Sequence, residues 1–355
     1  MSGAVLEGRP AATSATPVEA SSAALARQDG LLKPPGSLGA LEALAVHYAS
    51  VRGHLSTPEA PRFGLAVFAA DHGVTVEGVS AYPRDVTKGM VGAIVGGVAA
   101  VSVLARAHDV ALSVVDVGVD GAYDVPPAAH ATRYARRTIR SGTGNLRIEP
   151  AMTPVEVDRA MRVGADEARA FVEGGATVLG VGEVGIGNTT SAACLVCALT
   201  GTSPERVVGR GTGVDDEGLV RKRRVVAEAI ARVPASAGPE AVLAEVGGLE
   251  LAAMAGFVRA AVEARCLVVL DGFLAQAAAL VAVRLTPDAR SGLVASHVSA
   301  ETGSTIALEA LGLTPLLSLG MRLGEGTGAV LAMGLLADAL RLEREMGTLA
   351  SLGLA

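Results

Sequence analysis

The sequence predicts an α/β protein built on a mostly parallel, doubly wound sheet. Short apolar runs alternate with longer segments of helical periodicity, and the short runs are apolar throughout instead of alternating apolar with polar. Strands of that kind are buried on both faces, as when right-handed crossover helices cover a parallel sheet from either side. Composition agrees: hydrophobic residues make up 50% of 355, aromatics only 3%, and Gly numbers 44. The core is therefore Ala, Val and Leu, and many turns are tight.

The elements follow in order. Residues 1–24 are rich in Ala, Ser and Thr, with no apolar stretch of the kind a secretory leader needs, and are expected to be flexible. Phe63–Ala70 is an unbroken apolar strand ended by Asp71-His72. Segment 85–107 has helical spacing. Its uncharged stretch 89–105 is shorter than the ~20 residues of a membrane span, and Gly89, Gly92, Gly96 and Gly97 interrupt it, so it reads as one packed helix. Strand 110–115 runs into Asp116, and Pro/Ala-rich 122–132 reads as a surface loop. Helix 153–174 precedes strand 177–181, which ends near Glu183. Helices 191–199 and 216–232 and a loop at 233–240 come next. Helix 248–264 leads to strand Leu267–Leu270, Asp271 and helix 272–285. Strand 292–295 ends at Ser296-His297, followed by helix 305–311, strand 315–319, Glu325 after a short loop, and helix 328–346. Polar groups thus stand past the C-terminal end of every expected strand, the edge at which open α/β sheets bind ligands.

Several classes are excluded. Net charge −6 and a pI near 5.6 argue against nucleic-acid binding, which needs a basic face. Three Cys cannot make a disulfide framework and fit a cytoplasmic protein. Cys194 and Cys197 lack a second pair and read as buried apolar side chains. Of 30 basic residues only Lys33, Lys88 and Lys222 are Lys, a weak pointer to Lys33 and Lys222 as compact point charges.

Three glycine-rich segments carry possible chemistry. Gly180-Val-Gly-Glu-Val-Gly185 matches a dinucleotide fingerprint, but no acidic residue ends a second strand about 20 positions on. A P-loop fails because Asn188 stands where Lys is required. What remains is a glycine turn into Asn188-Thr189-Thr190-Ser191, a helix start able to hold one phosphate or simply a capped, tightly packed helix. Gly209-Arg-Gly-Thr-Gly213 precedes Lys222, which three neighbouring Arg make look like part of a solvated face. Glu325 lies among Gly324, Gly326 and Gly328, as a general base or as a charge favoured by a helix N-terminus. A phosphoribosyl-diphosphate motif is missing: Gly272 replaces the second acid after Asp271, and no acidic pair is placed for Mg²⁺.

Eight segments also stand in one order: Leu31-Leu-Lys-Pro-Pro-Gly-Ser-Leu-Gly39, Ala69-Ala-Asp-His-Gly-Val74, Gly142-Thr-Gly-Asn145 with Pro150-Ala-Met-Thr153, Gly182-Glu-Val-Gly-Ile-Gly-Asn-Thr-Thr190, Glu245-Val-Gly-Gly248, Val269-Leu-Asp-Gly-Phe273, Ser296-His297 with Ser299-Ala-Glu301, and Met321-Arg-Leu-Gly-Glu-Gly-Thr-Gly328. Together they resemble the nicotinate-nucleotide–dimethylbenzimidazole phosphoribosyltransferase family of cobalamin nucleotide-loop assembly. The resemblance implies a three-layer α/β/α fold, with 61–320 as the phosphoribosyl-binding domain. It implies a smaller helical domain from 25–60, completed by 321–355, which also carries the Glu325 loop. It further implies a homodimer, no cofactor, no metal and no membrane or nucleic-acid partner. The reaction it implies moves phosphoribose from nicotinate mononucleotide to a benzimidazole-type base, yielding nicotinate and α-ribazole 5′-phosphate.

By this resemblance Glu325 is the general base. Glu183, Gly185, Gly187, Asn188, Thr189, Thr190, Lys222, Asp271 and Ser296 hold ribose and phosphate, and Tyr82, Gly89, Met90 and Leu323 border the base. Many members carry Gln at the position of Gly89, Asn at that of Gly92, and His at that of Ser304; the two glycines predict a roomier, less selective base pocket. The alternatives are a dinucleotide-dependent oxidoreductase using the 180–185 glycines, or a nucleotide-binding homologue without turnover.

Overall fold

A computed structural model describes residues 16–54, 60–130 and 132–353. Six strands form one sheet: β1 (Phe63–Ala70), β2 (Val110–Gly118), β3 (Thr132–Arg136), β4 (Val178–Val184), β5 (Leu267–Leu270) and β6 (Leu293–Ala295). Their order is β3-β2-β1-β4-β5-β6, and every neighbouring pair is parallel. The chain therefore winds outward in both directions from β1 and β4, and the crevice between their C-terminal ends is the switch point of the sheet.

Helices cover both faces. Phe68 of β1 meets Phe257 edge-on, and Gly64 lies against Phe171, so helices Pro154–Glu173 and Leu249–Glu263 pack on one face. Leu65 points the other way. On that face a Cβ at Gly180 would meet Met333, Leu65 and Ala329, from helix Thr327–Glu345 and β1. His108, which ends helix Ala100–Ala107, contacts Gly334 on the same side. The core is Ala/Val/Leu, as composition predicts, and includes the buried side chains of Cys194, Cys197 and Cys266.

Three elements differ from expectation. The run 85–107 is two helices, Val86–Val95 and Ala100–Ala107. Gly97 lies between them at φ +79°, where its α-carbon must pass close to Ala129. The full segment Val86–Ala107 is apolar enough to be weighed as a membrane span, with mean hydropathy 1.9, but the glycine break interrupts it. Residues 315–319 form no strand: only Leu317 makes an isolated bridge, to His297. β6 has already ended at Ala295, and Pro315 has no N–H to extend a ladder. Conversely Thr132, expected to end a surface loop, begins the edge strand β3 beside β2, which runs on to Arg136. Its mixed polar sequence suits an edge exposed on one side.

The chain divides into two compact units, residues 61–337 and residues 1–60 with 338–355. In the smaller unit, helix Pro17–Asp29 starts with a Thr16/Glu19 capping box. Its Arg27 donates to the Glu343 carbonyl at 2.9 Å. Lys33 pairs with Glu42 at 2.8 Å beside helix Ala40–Arg52. Of the segment 1–24 expected to be flexible, residues 1–15 lie outside the described residues, whereas 17–24 belong to helix Pro17–Asp29, where Ala20 and Ala24 are buried. All sequence-selected site residues fall in the larger unit.

Candidate active site

A cavity of about 350 Å³ opens at the C-terminal edge of β4 and β5. Its walls are Glu183, Gly185, Asn188 and Thr189 from β4 and the turn into helix Asn188–Thr200, Asp271 after β5, His297, Ser299 and Glu301 after β6, and Arg322 to Glu325. Tyr82 and Met90 close one side. A larger groove of about 1160 Å³ lies between helices Pro154–Glu173 and Leu249–Glu263, but no strand-end residue reaches it.

The turn after β4 is shaped by backbone proximity. Gly185 passes against the Ala70 carbonyl, where a Cβ would not fit, and Gly187 sits at φ +95° as the N-cap of the helix. The Ile186 N–H donates to Thr87 Oγ1 at 3.2 Å, tying the turn to helix Val86–Val95. Asn188 Nδ2 donates to Glu183 Oε2. Burial, then the nearby Glu250 and Asp271, push the Glu183 carboxyl up to about 8, with Glu325 adding and Asn188 opposing. This environment favours the protonated form of Glu183.

Lys222 is wholly buried, so the exposed-face reading of it was wrong. Its ammonium donates to Thr189 Oγ1 at 2.7 Å, putting a positive charge directly behind a cavity-lining hydroxyl. Burial brings Lys222 down to about 8, against the pull of Glu301. Only glycine fits at 211, where a Cβ would lie 2.8 Å from that ammonium.

Glu325 occupies a strained backbone position. Gly324, Glu325 and Gly326 all have positive φ, at +84°, +65° and +93°. A non-glycine residue there is uncommon. The turn lies directly on β4, because a Cβ at Gly182 would strike the Glu325 and Gly326 backbone. Asp271 grips its far side, accepting N–H groups from Gly326 at 2.9 Å, Gly328 at 2.8 Å and Ala329 at 3.3 Å. The Glu325 carboxyl accepts the Val101 N–H at the start of helix Ala100–Ala107. Its Oε2 is buried with no hydrogen-bond partner among the described residues. Burial, reinforced by Asp271, raises Glu325 above the usual carboxylate range, with the Val101 N–H opposing.

On the remaining side Tyr82 and Leu323 are exposed at 56% and 58% and form the rim. Thr212 Oγ1 accepts the Ala81 N–H at 2.9 Å and meets Ser80 Oγ at 3.0 Å, fixing the segment that carries Tyr82. Met90 reaches the cavity. Gly89 and Gly92 do not: Gly89 faces open space, and Gly92 packs toward Pro126, 3.7 Å from where its Cβ would be. Neither glycine is among the residues that line the cavity. Ser304 is also accounted for: its hydroxyl donates to Gln276 Oε1 at 2.8 Å and accepts the Ser299 N–H at 3.0 Å.

Of the residues picked from sequence, Tyr82, Glu183, Gly185, Asn188, Thr189, Met90, Asp271, Leu323 and Glu325 line the cavity. Gly89, Gly187, Thr190, Lys222 and Ser296 do not, although Gly187 and Lys222 sit directly behind lining groups. Ser296 instead bonds His297 Nδ1 at 2.9 Å. Asp116 accepts the Gly118 and Val119 N–H groups and the Tyr123 hydroxyl, which makes it a pin for the end of β2. Sequence reasoning missed Thr212, Ser299, Glu301 and Arg322 as lining residues. Gly180 and Gly182 of the dinucleotide-like motif lie inside β4, not in the turn that follows it.

Comparison with known proteins bears on this geometry. The phosphoribosyltransferase family model matches residues 14–354. A nicotinate-nucleotide–dimethylbenzimidazole phosphoribosyltransferase of Chromobacterium violaceum is 49% identical over 339 residues, covering 95% of this chain and 96% of that protein. The like-named protein of Thermus thermophilus is 51% identical over 316 residues, covering 89% and 92%. The crystal structure of CobT from Thermus thermophilus superposes with a TM-score of 0.89 at 49% identity, covering 95% of this chain and 99% of that one.

Proposed function

This chain belongs to the nicotinate-nucleotide–dimethylbenzimidazole phosphoribosyltransferase family, and on that premise we propose how its cavity moves phosphoribose from nicotinate mononucleotide to a benzimidazole-type base in cobalamin lower-ligand synthesis. The observation that carries the assignment is Glu325: a buried carboxylate with one unbonded oxygen, set on the cavity wall by a strained turn.

The glycosidic nitrogen of nicotinate mononucleotide is already positive. When its C1′–N bond breaks, the bonding pair neutralises that charge and nicotinate leaves. One ring nitrogen of the incoming base attacks C1′ from the opposite face, so β configuration becomes α. Glu325 accepts the proton from the other ring nitrogen, which keeps the new bond from forming on a cationic base. Its raised pKa makes it a stronger base near neutral pH. Holding both rings against one sugar supplies proximity.

The phosphate sits at the first turn of helix Asn188–Thr200, where the helix dipole favours an anion, with the Thr189 hydroxyl in front and Lys222 behind. Glu183, in its protonated form, donates to a ribose oxygen. We assign the protein to the cytoplasm and expect a homodimer, which light scattering would establish.

The deciding experiment is incubation of the purified protein with nicotinate mononucleotide and a panel of bases, with products identified by mass spectrometry. The expected products are nicotinate and an α-ribazole 5′-phosphate. Release of ribose 5-phosphate alone, or no reaction with any base, would reject the assignment.

A further inference from the structure

Asp271 lines the cavity, yet both its oxygens are already engaged. Oδ2 accepts the Gly326 N–H, and Oδ1 accepts those of Gly328 and Ala329. These three amides flank Glu325 and open helix Thr327–Glu345. The turn thus takes up three of the roughly four acceptor sites of the Asp271 carboxylate. A left-handed glutamate is strained and persists only where its surroundings over-determine it. Gly182 below leaves no other room, and Thr327 Oγ1 donates back to the Gly324 carbonyl at 2.9 Å.

We propose that Asp271 is the positioning residue for Glu325: by gripping the Gly326, Gly328 and Ala329 amides it holds Glu325 in the left-handed turn that presents its carboxylate to the base. The proposal rests on Glu325 being the base, as argued above. Asp271 acts on Glu325 twice. It fixes the backbone, and its charge disfavours the ionised form of Glu325, which burial already raises. The other ionisable groups nearby are Glu183, which Asp271 raises in the same sense, and His297; burial raises Asp271 itself, while His297 and the amides it accepts favour its carboxylate. Removing the Asp271 charge therefore lowers both glutamates. Because a base works above its pKa, the acid limb of the rate profile moves to lower pH.

The test compares wild type, Asp271→Asn, Asp271→Ser and Glu325→Gln. For each, kcat and KM for nicotinate mononucleotide are measured across pH, together with amide exchange of a peptide covering 321–331. For Asp271→Asn we expect kcat to fall ~10²-fold, the scale of an ångström's misplacement. KM should stay within about threefold, as an interaction made only in the transition state requires. The acid limb should shift downward and the 326–329 amides exchange faster. A rise in KM with kcat and the acid limb unchanged would mean Asp271 binds substrate and would overturn the proposal, as would wild-type behaviour in every readout. Asp271→Ser, smaller and neutral, is judged by the same criteria if Asp271→Asn does not fold. A Glu325→Gln enzyme at full rate would instead defeat the base assignment. An inactive Glu325→Gln beside an unaltered Asp271→Asn would defeat only the positioning role.

Discussion

At the end of β4 the left-handed position of the turn is a glycine, Gly187 at φ +95°, whereas before helix Thr327–Glu345 the left-handed position between two glycines is a glutamate, Glu325 at φ +65°. Both turns lead into a helix at the same sheet edge. In the proposed reaction the first only cradles an anion, so its key residue needs no side chain and adopts the turn without strain. The second must place a carboxylate, and it accepts strain to do so. Their supports differ accordingly. The first leans on the Thr87 hydroxyl and a buried lysine behind Thr189; the second is clamped between Gly182 and Asp271. Binding a phosphate tolerates a generic cradle, while moving a proton requires one atom in one place.

The strongest attempt to break this contrast is Glu325→Gln. Turnover should drop ~10²–10⁴-fold, the usual contribution of a general base, while calorimetry shows nicotinate mononucleotide still bound. A near wild-type rate would make the two turns equivalent. Next is Gly187→Ala. Its Cβ would lie 2.8 Å from Thr75 Cγ2 at a φ that L-residues avoid. The variant should lose ~1–3 kcal/mol of stability in denaturant titrations, with a weaker nucleotide KM. Lys222→Ala should raise that KM roughly tenfold and change kcat little, because a phosphate contact serves ground and transition states alike. In the wild type the same KM should climb above pH 8, since Lys222 is charged below about 8 and loses its proton above it. The smallest effect belongs to Gly89→Gln. With open space beyond its Cβ and no place on the cavity wall, it should alter the kcat/KM ratio of dimethylbenzimidazole to benzimidazole less than about threefold, under the ~10-fold that one buried methyl can command. A larger change would restore the roomier-pocket expectation.

Much of this is legible in local patterns of the sequence. β1 and β5 are readable to the residue because continuous apolar runs bounded by Asp have one explanation in a parallel sheet. Glu183, Asp271 and Glu325 are visible because strand-end carboxylates beside glycine are conspicuous. What escaped depends on distant residues. The edge strand Thr132–Arg136 has no apolar run, since only its partner β2 makes it a strand. The helix break at Gly97 depends on Ala129 arriving beside it. Lys222 looks solvated among three arginines, and only the tertiary fold turns it inward. The packing of Gly92 on Pro126 is likewise a contact between separate segments, so the sequence showed a lost side chain but not what covered its place.

The pairing of β1 with β4 has a consequence during synthesis. Phe63 meets Val178 in register, so more than a hundred residues must follow β1 before its second neighbour exists. At the ~5–20 residues per second of a ribosome, Phe63–Ala70 waits roughly 5–20 s with one edge open. β2 arrives sooner, pairing Phe63 with Val110, and leaves the other edge bare. That edge belongs to an eight-residue apolar strand without Pro or charge, the kind of segment that adheres to its own copies on neighbouring nascent chains. Overproduction of this protein should therefore be governed less by how stable the finished sheet is than by how crowded the chains are while β4 is still being made.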